Sequence, residues 1–359
     1  MTLKMEKTRY YSWKSGSLPK GCQLCVKGQK LVLFVTGLCP RNCFYCPISE
    51  KKYKKDVVYA DEWPVKNKSE IIKEAELIGA KGAGFTGGDP LARIERTIKY
   101  IKMLKKRFGK KFHIHLYTSL DLVDDEKIKK LYAAGLDEIR IHPDIYSDKL
   151  WHKMDLITNY DWDIGVEIPS IPSSKKETEK IIEYFKDKID FLNINELEIA
   201  DNKAQKMLGT FVPKNRISYG VKGSEELAKY LLKKYENKIK RIHYCTTKLK
   251  DKVQLGTRIK RRAKNVKKPY DYVTSEGLLV RGAIYSNDFQ KLRKTKNCFE
   301  RKYKIPKRLF EIDKRKKRLL TTVNVVEELK EEIKEKDLKP AVVIEYPTWD
   351  QLPVEIEYL

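Results

Sequence analysis

Three thiols stand within eight residues in Cys39-Pro40-Arg41-Asn42-Cys43-Phe44-Tyr45-Cys46. Gaps of three and then two residues let all three sulfurs turn to one side of a short loop, which suits the corner of an iron–sulfur cube held by thiolates. Three protein ligands leave one iron of a four-iron cube open to a small molecule. The alternative is a structural zinc knuckle, which needs four ligands in a closed tetrahedron, and only three are local. A second pair, Cys22-Gln23-Leu24-Cys25, has the Cys-x2-Cys spacing of half a metal site. Its partners must come from elsewhere in the chain, and Cys245 in His243-Tyr244-Cys245 and Cys298 are the two sources. We expect Cys22, Cys25 and Cys245 to form a second metal site, for zinc or a second iron–sulfur cluster, and Cys298 to pack as a small hydrophobe.

Loops that present ligands need a scaffold. The cysteine loop follows the apolar run Leu31 to Val35, which reads as a strand, and from there short apolar strands alternate with amphipathic helices. Ser69 is expected to cap a helix through Ile71, Ala75 and Ile78 that Gly79 closes. Strands then follow at Gly84 to Thr86, Phe112 to Tyr117, Glu138 to His142, Ile164 to Ile168, Phe191 to Ile194 and Lys240 to Tyr244, separated by helices through Ile94 to Leu104, Asp124 to Ala134, Glu177 to Phe185 and Glu225 to Tyr235. Strands joined by single helices pair in parallel, because a crossover needs that length. About seven strands of this kind make an α/β fold, a partial (β/α) TIM-type barrel, whose chemistry sits at the C-terminal ends of the strands. We divide the chain into an N-terminal segment (1–30), the barrel (31–246) and a small basic α+β region (247–359).

The strand ends carry a second signature, Thr86-Gly87-Gly88-Asp89-Pro90. With Cys39, Cys43, Tyr45 and Cys46 in a Cys-x3-Cys-x-aromatic-Cys loop after the first strand, it resembles the radical S-adenosylmethionine (radical SAM) superfamily, and within it proteins similar to pyruvate formate-lyase activating enzyme. The resemblance implies a [4Fe–4S] cluster on Cys39, Cys43 and Cys46 whose open iron binds SAM, and an electron donor of the ferredoxin or flavodoxin type. One electron then splits the sulfonium, and the 5′-deoxyadenosyl radical takes a hydrogen atom from a substrate. It also implies that Tyr45, Thr86, Gly87, Gly88 and Asp89 line the cofactor site; Asp89 stands where glutamate is usual, so it keeps the charge but not the reach. Ser119, beside Thr118 after the third strand, falls where the family contacts the ribose or carboxylate of SAM. Arg140 and His142 share a strand face and can point into the lumen, where Arg140 requires a carboxylate from SAM or substrate, or an internal ion pair. Asn195 and Glu196, in a dense polar strand end, are candidates for substrate or adenosine contact. His113 and His115 receive no catalytic role.

Charge adds a partner to consider. The formal net charge is +26, and the stretch from Lys248 to Arg318 holds 25 Lys and Arg against 7 Asp and Glu. The runs Arg258-Ile259-Lys260-Arg261-Arg262 and Lys314-Arg315-Lys316-Lys317-Arg318, with Tyr270, Tyr272, Tyr285, Phe289 and Tyr303 between them, have the composition of a surface that neutralises phosphates and stacks on unpaired bases. RNA is therefore the expected substrate, with a glycyl-radical activase acting on a protein backbone as the alternative. A non-catalytic, metal-stabilised RNA-binding protein is the reading from outside enzymology. No apolar leader opens the chain and no run of roughly eighteen apolar residues crosses a membrane. We accordingly expect a cytoplasmic protein.

Overall fold

The computed structural model describes residues 3–200, 211–216 and 218–359. Its backbone divides into two compact units, Met1–Glu76 with Ala80–Leu255 and Leu77–Gly79 with Gly256–Leu359.

In the larger unit, β1 (Lys30–Phe34), β2 (Gly82–Thr86), β3 (His113–Thr118), β4 (Glu138–Ile141), β5 (Asp163–Ser170), β6 (Phe191–Glu196) and β7 (Ile242–Cys245) lie side by side in chain order, all parallel. This is the partial (β/α) barrel expected from the alternation of strands and helices. Antiparallel ribbons complete the sheet edges, Tyr59–Ala60 on β1 and Trp13–Ser15 on β7. Alternation sorts the side chains. Leu31, Leu33, Phe85, Leu116, Ile139, Val166 and Ile194 are buried, on one set of alternate positions. The other set is polar: Lys30, His115, Glu138, Arg140, Asn193 and His243 are also buried. A lumen lined this way must be satisfied by an internal network or by ligands.

The helices show how local chemistry sets their ends. Helix α1 (Lys20–Cys25) precedes β1. Helix α2 (Lys68–Leu77) starts at Asn67, not Ser69: Asn67 Oδ1 accepts from the Ser69 N–H at 3.1 Å while Glu70 Oε2 accepts from the Asn67 N–H at 3.0 Å. The reciprocal pair is a capping box, and it moves Ser69 into the first turn. Helices α3 (Ile94–Phe108), α4 (Asp125–Ala134), α5 (Lys175–Phe185) and α6 (Ser224–Tyr235) follow the expected order. Asp124 caps α4 through the Lys127 N–H at 2.9 Å.

The smaller unit is built on an antiparallel sheet of β8 (Leu279–Tyr285), β9 (Glu311–Asp313), β10 (Arg318–Thr321), β11 (Lys339–Glu345) and β12 (Pro353–Tyr358), with spatial order β9-β10-β8-β11-β12 and a short ribbon, Tyr272–Val273, on β8. Strand β10 ends at Thr321, because the Thr322 hydroxyl accepts from the Val325 N–H at 3.3 Å and begins a helical turn. Two short helices follow, Val323–Glu328 and Lys330–Glu335.

Within the basic run of this unit Arg318 is buried and Lys316 partly so, while Lys314, Arg315 and Lys317 are exposed. The Glu345 carboxylate, 1% exposed, accepts from Arg318 Nη1 at 2.8 Å and Nη2 at 2.9 Å and from Lys316 Nζ at 2.8 Å, with Arg281 Nη1 at 3.5 Å. Arg318 also pairs with Asp313, and Arg281 with Asp271. Arg315 donates to the Trp349 and Asp350 carbonyls. The aromatics divide similarly: Tyr270 is buried with its hydroxyl on Glu311 at 3.0 Å, Tyr285 and Phe289 pack against the core, and Tyr272 and Tyr303 are exposed.

Candidate active site

The cysteine loop leaves the C-terminal end of β1 and is tied down on both sides. Gly37 N–H donates to the Lys55 carbonyl at 2.8 Å and its own carbonyl accepts from Lys54. Arg41 reaches away from the loop, donating from Nη1 to the His142 carbonyl at 2.8 Å and pairing with Asp144 at 3.2 Å. The Tyr45 hydroxyl meets His142 Nε2 at 2.8 Å, while His142 Nδ1 faces the Glu167 carbonyl, also at 2.8 Å. A carbonyl only accepts, so Nδ1 carries the proton and Nε2 accepts from Tyr45. Burial, reinforced by Arg41, holds His142 down at about 4, so the ring is neutral. Arg41 and His142 are thus loop anchors, and sequence spacing carried no signal for Arg41.

The glycine pair packs on the same loop. Gly88 N–H donates to the Thr36 carbonyl at 2.7 Å and Asp89 N–H to the Leu38 carbonyl at 2.8 Å. A methyl at Gly87 would stand 2.3 Å from the Thr36 oxygen, and one at Gly88 2.3 Å from the Leu38 oxygen. Close backbone approach therefore demands glycine at both positions before any ligand is considered. Asp89, 1% exposed, spends its carboxylate on the protein: Oδ1 accepts from the Leu91 N–H at 3.0 Å and Thr118 Oγ1 at 2.8 Å, and Oδ2 from the Ser119 N–H at 3.0 Å and Oγ at 2.8 Å. Burial raises its proton affinity, and these four donors oppose the rise. The shorter carboxylate is a brace between the ends of β2 and β3, holding Thr118 and Ser119 in place.

Arg140 takes the internal ion pair of the two partners open to it. Nε donates to Glu138 at 2.6 Å, Nη1 to Glu167 at 2.8 Å and Tyr117 at 3.2 Å, and Nη2 reaches Glu138 and Cys22 Sγ, the latter at 3.5 Å. A guanidinium has five N–H groups, and all five have protein partners. Glu167 is the other hub, accepting also from Asn193 Nδ2 and Asn195 Nδ2, each at 2.9 Å. Burial works against its charge, but Arg140 and the two asparagines hold its carboxyl below the usual range. Asn195 lines the cavity, and Glu196 accepts from the Thr247 N–H at 2.8 Å, a capping role. Sequence reasoning passed over Glu138 and the hub role of Glu167; a run of inward acids opposite an inward arginine was the available signal.

These residues enclose one cavity of about 560 Å³. Cys39, Cys43, Cys46, Tyr45, Thr86, Gly87, Gly88, Asp89, Ser119, Arg140 and Asn195 all line it, and so do Cys22, Cys25 and Cys245. Cys298 is elsewhere, packed against the core of the smaller unit with Glu332 at 3.9 Å. For Cys22, burial raises the thiol, but Arg140, His243 and Lys30 together outweigh it and bring it down to about 6. Burial pushes Cys245 strongly up. Among the described residues, one set of three His, Cys, Asp or Glu ligand atoms falls within 4.8 Å of one another, His113, His115 and Glu138. Lys30 Nζ at 2.9 Å from His115 and the Arg140 pair on Glu138 place two cations on that set.

Residues 33–195 match the radical SAM superfamily, and residues 277–359 match a domain of unknown function (DUF8061). A Methanocaldococcus jannaschii protein, whose provisional name is glycyl-radical enzyme activating enzyme, is 40% identical over 361 residues, spanning 97% of this chain and 94% of that protein. The chain is a radical SAM enzyme. Among solved structures, methylornithine synthase (PylB) is 12% identical, covering 59% of this chain and 63% of that one with a TM-score of 0.43. Streptococcus suis SuiB bound to its precursor peptide SuiA is also 12% identical, covering 63% and 51% with a TM-score of 0.42. As a radical SAM enzyme, the protein uses a [4Fe–4S] cluster and SAM. The residues present fit that pair. Cys39, Cys43 and Cys46 are unoxidised thiols lining one cavity. Burial, opposed by the Arg41 backbone N–H and reinforced by Asp89, Cys43 and Cys46, pushes Cys39 up to about 11, so the apo thiol keeps its proton and would release it on binding a metal. Among the described residues, no helix is long and apolar enough to cross a membrane.

Proposed function

We propose that this radical SAM enzyme is an activase that removes a hydrogen atom from a glycine in a protein backbone, leaving a glycyl radical and 5′-deoxyadenosine. When bound, the cluster and SAM supply the 5′-deoxyadenosyl radical through one-electron cleavage of the sulfonium. Cys39, Cys43 and Cys46 would hold the cluster. The Gly87–Gly88 backbone and the Ser119 side chain line the wall beside it, kept in register by Asp89. The Arg140–Glu167 network pairs its buried charges within the protein and so holds the lumen wall in a fixed geometry. In our reading the electron comes from a small reductant protein of the ferredoxin or flavodoxin kind, and the segment 1–30 belongs with the barrel of 31–246 as one catalytic unit.

The observation that carries the reading is the convergence of the cysteine loop, the glycine pair and the Asp89 brace on one cavity. The likeness to the M. jannaschii protein supports a protein target over RNA. Two arginines of the basic stretch, Arg281 and Arg318, are buried on Glu345 and so withdrawn from any RNA surface. The test is anaerobic: reconstitute the cluster, reduce with dithionite, and quantify 5′-deoxyadenosine with and without a purified glycyl-radical protein of the same cell, following the glycyl doublet by electron paramagnetic resonance (EPR). SAM cleavage that forms no protein radical but is stimulated by RNA, with RNA affinity falling steeply with salt, would return the RNA reading.

A further inference from the structure

We propose that Cys22, Cys25, His243 and Cys245 form a second iron–sulfur site inside the barrel, on the cavity that the Cys39 loop also lines. Nothing in the superfamily match assigns it, since Cys22, Cys25 and Cys245 all lie outside residues 33–195.

The sequence offered the pair Cys22 and Cys25 two distant partners, of which Cys245 was the expected one. The fold brings that one within reach. Helix α1 packs on β1, β2 and β3 and brings Cys22 and Cys25 to the lumen, where Gly21 N–H donates to Glu138 at 3.0 Å. Strand β7 brings Cys245 to the same lumen from more than two hundred residues away in the chain, and all three cysteines line one cavity. Alternation along β7 puts His243 and Cys245 on one face, and the thiol of Cys22 lies against His243.

His243 provides the independent observation. It is 1% exposed, and apart from the Cys22 thiol beside it neither Nδ1 nor Nε2 has a hydrogen-bond partner. A buried imidazole left with an unsatisfied nitrogen costs folding free energy unless something outside the chain pairs with it. A metal at the adjoining thiols does so, and three cysteines with one histidine are a recognised metal donor set.

The spacing favours a cluster over a single ion. Tetrahedral zinc with thiolates at about 2.3 Å sets its ligand atoms roughly 3.8 Å apart. In both cysteine trios at least one sulfur pair lies beyond 4.8 Å, since neither trio is among the ligand sets that close within that limit. Arg140, donating to Cys22 at 3.5 Å, and Asn193 Nδ2 at 3.4 Å would serve as hydrogen-bond donors to a ligating sulfur, the kind of outer contact that tunes such centres.

The test does not depend on the activase reading, because its readout is metal content. In the full chain, Cys39→Ala, Cys43→Ala and Cys46→Ala together should leave about half of the wild-type iron and acid-labile sulfide after anaerobic reconstitution, with iron–sulfur absorption retained. Adding Cys22→Ala and Cys245→Ala should remove the remainder. His243→Cys in the triple background should keep the iron and shift the EPR signal of the reduced centre. Circular dichroism establishes that each variant is folded; should the triple variant fail to fold, Cys22→Ser alone in the wild type should halve iron and sulfide. A folded triple variant with no iron, or with stoichiometric zinc and no sulfide, overturns the proposal. So does a wild-type protein whose full iron content survives Cys22→Ser.

Discussion

Arg140→Met tests whether the lumen network is scaffold or ligand site. The substitution keeps volume and removes a guanidinium that is 2% exposed and paired to Glu138, itself fully buried, and to Glu167. Removing one partner of a buried pair leaves an uncompensated charge and costs about 3–5 kcal/mol. For a unit of this size each kcal/mol lowers the melting midpoint by about 2–4 °C, so the midpoint should fall by about 6–20 °C. Trp13, Trp63, Trp151 and Trp162 lie in the barrel unit and Trp349 in the other, so tryptophan fluorescence on heating reports mainly on the barrel. Adding Glu138→Gln should return part of the loss, with a coupling of about 0.5–3 kcal/mol in the double-mutant cycle. SAM affinity, measured at a temperature where the variant is folded, should change far less than stability. A midpoint within about 2 °C of wild type combined with a collapse of SAM binding would refute the reasoning and restore Arg140 as a cofactor contact.

Other outcomes follow from the same geometry. Gly88→Ala forces a methyl against the Leu38 carbonyl at 2.3 Å; we expect about 1–3 kcal/mol of destabilisation and a loss of iron from the Cys39 loop, read by iron and sulfide assay. His142, held at about 4 by burial and Arg41, refuses a proton that the unfolded chain accepts at about 6.5. Unfolding free energy should therefore fall as pH drops from 6.5 toward 4, by about 1–3 kcal/mol for a half-buried ring, and His142→Gln should flatten that slope in urea titrations. Glu345→Ala strips the shared carboxylate from Arg318, Lys316 and Arg281. It should cost the smaller unit about 3–5 kcal/mol, visible as early proteolysis of residues beyond 256.

The sequence by itself carried the two cysteine arrays, the glycine pair and the order of strands and helices. These are local: a three-ligand loop, a Gly-Gly turn and a hydrophobic period each need only neighbours in the chain to be legible, and parallel pairing follows from crossover length. It also carried the polar strand faces, and alternation alone placed Arg140 and His142 together. What it could not carry was pairing between distant residues. Arg140 had equal claims on a cofactor and on an internal acid, and only the register of β4 against β5, which sets Glu167 within 2.8 Å, decided for the acid. Composition counts charges without their partners: the pairing of β8 with β11, and of β8 with β10, turns Arg281 and Arg318 inward onto Glu345, while Lys314, Arg315 and Lys317 stay exposed. The Cys22–Cys25 pair is the same case with the opposite result. Its spacing announced half a site and Cys245 was only a distant candidate; tertiary structure sets Cys245 on the same cavity and His243 beside Cys22, a meeting of β7 with α1 that no local pattern encodes.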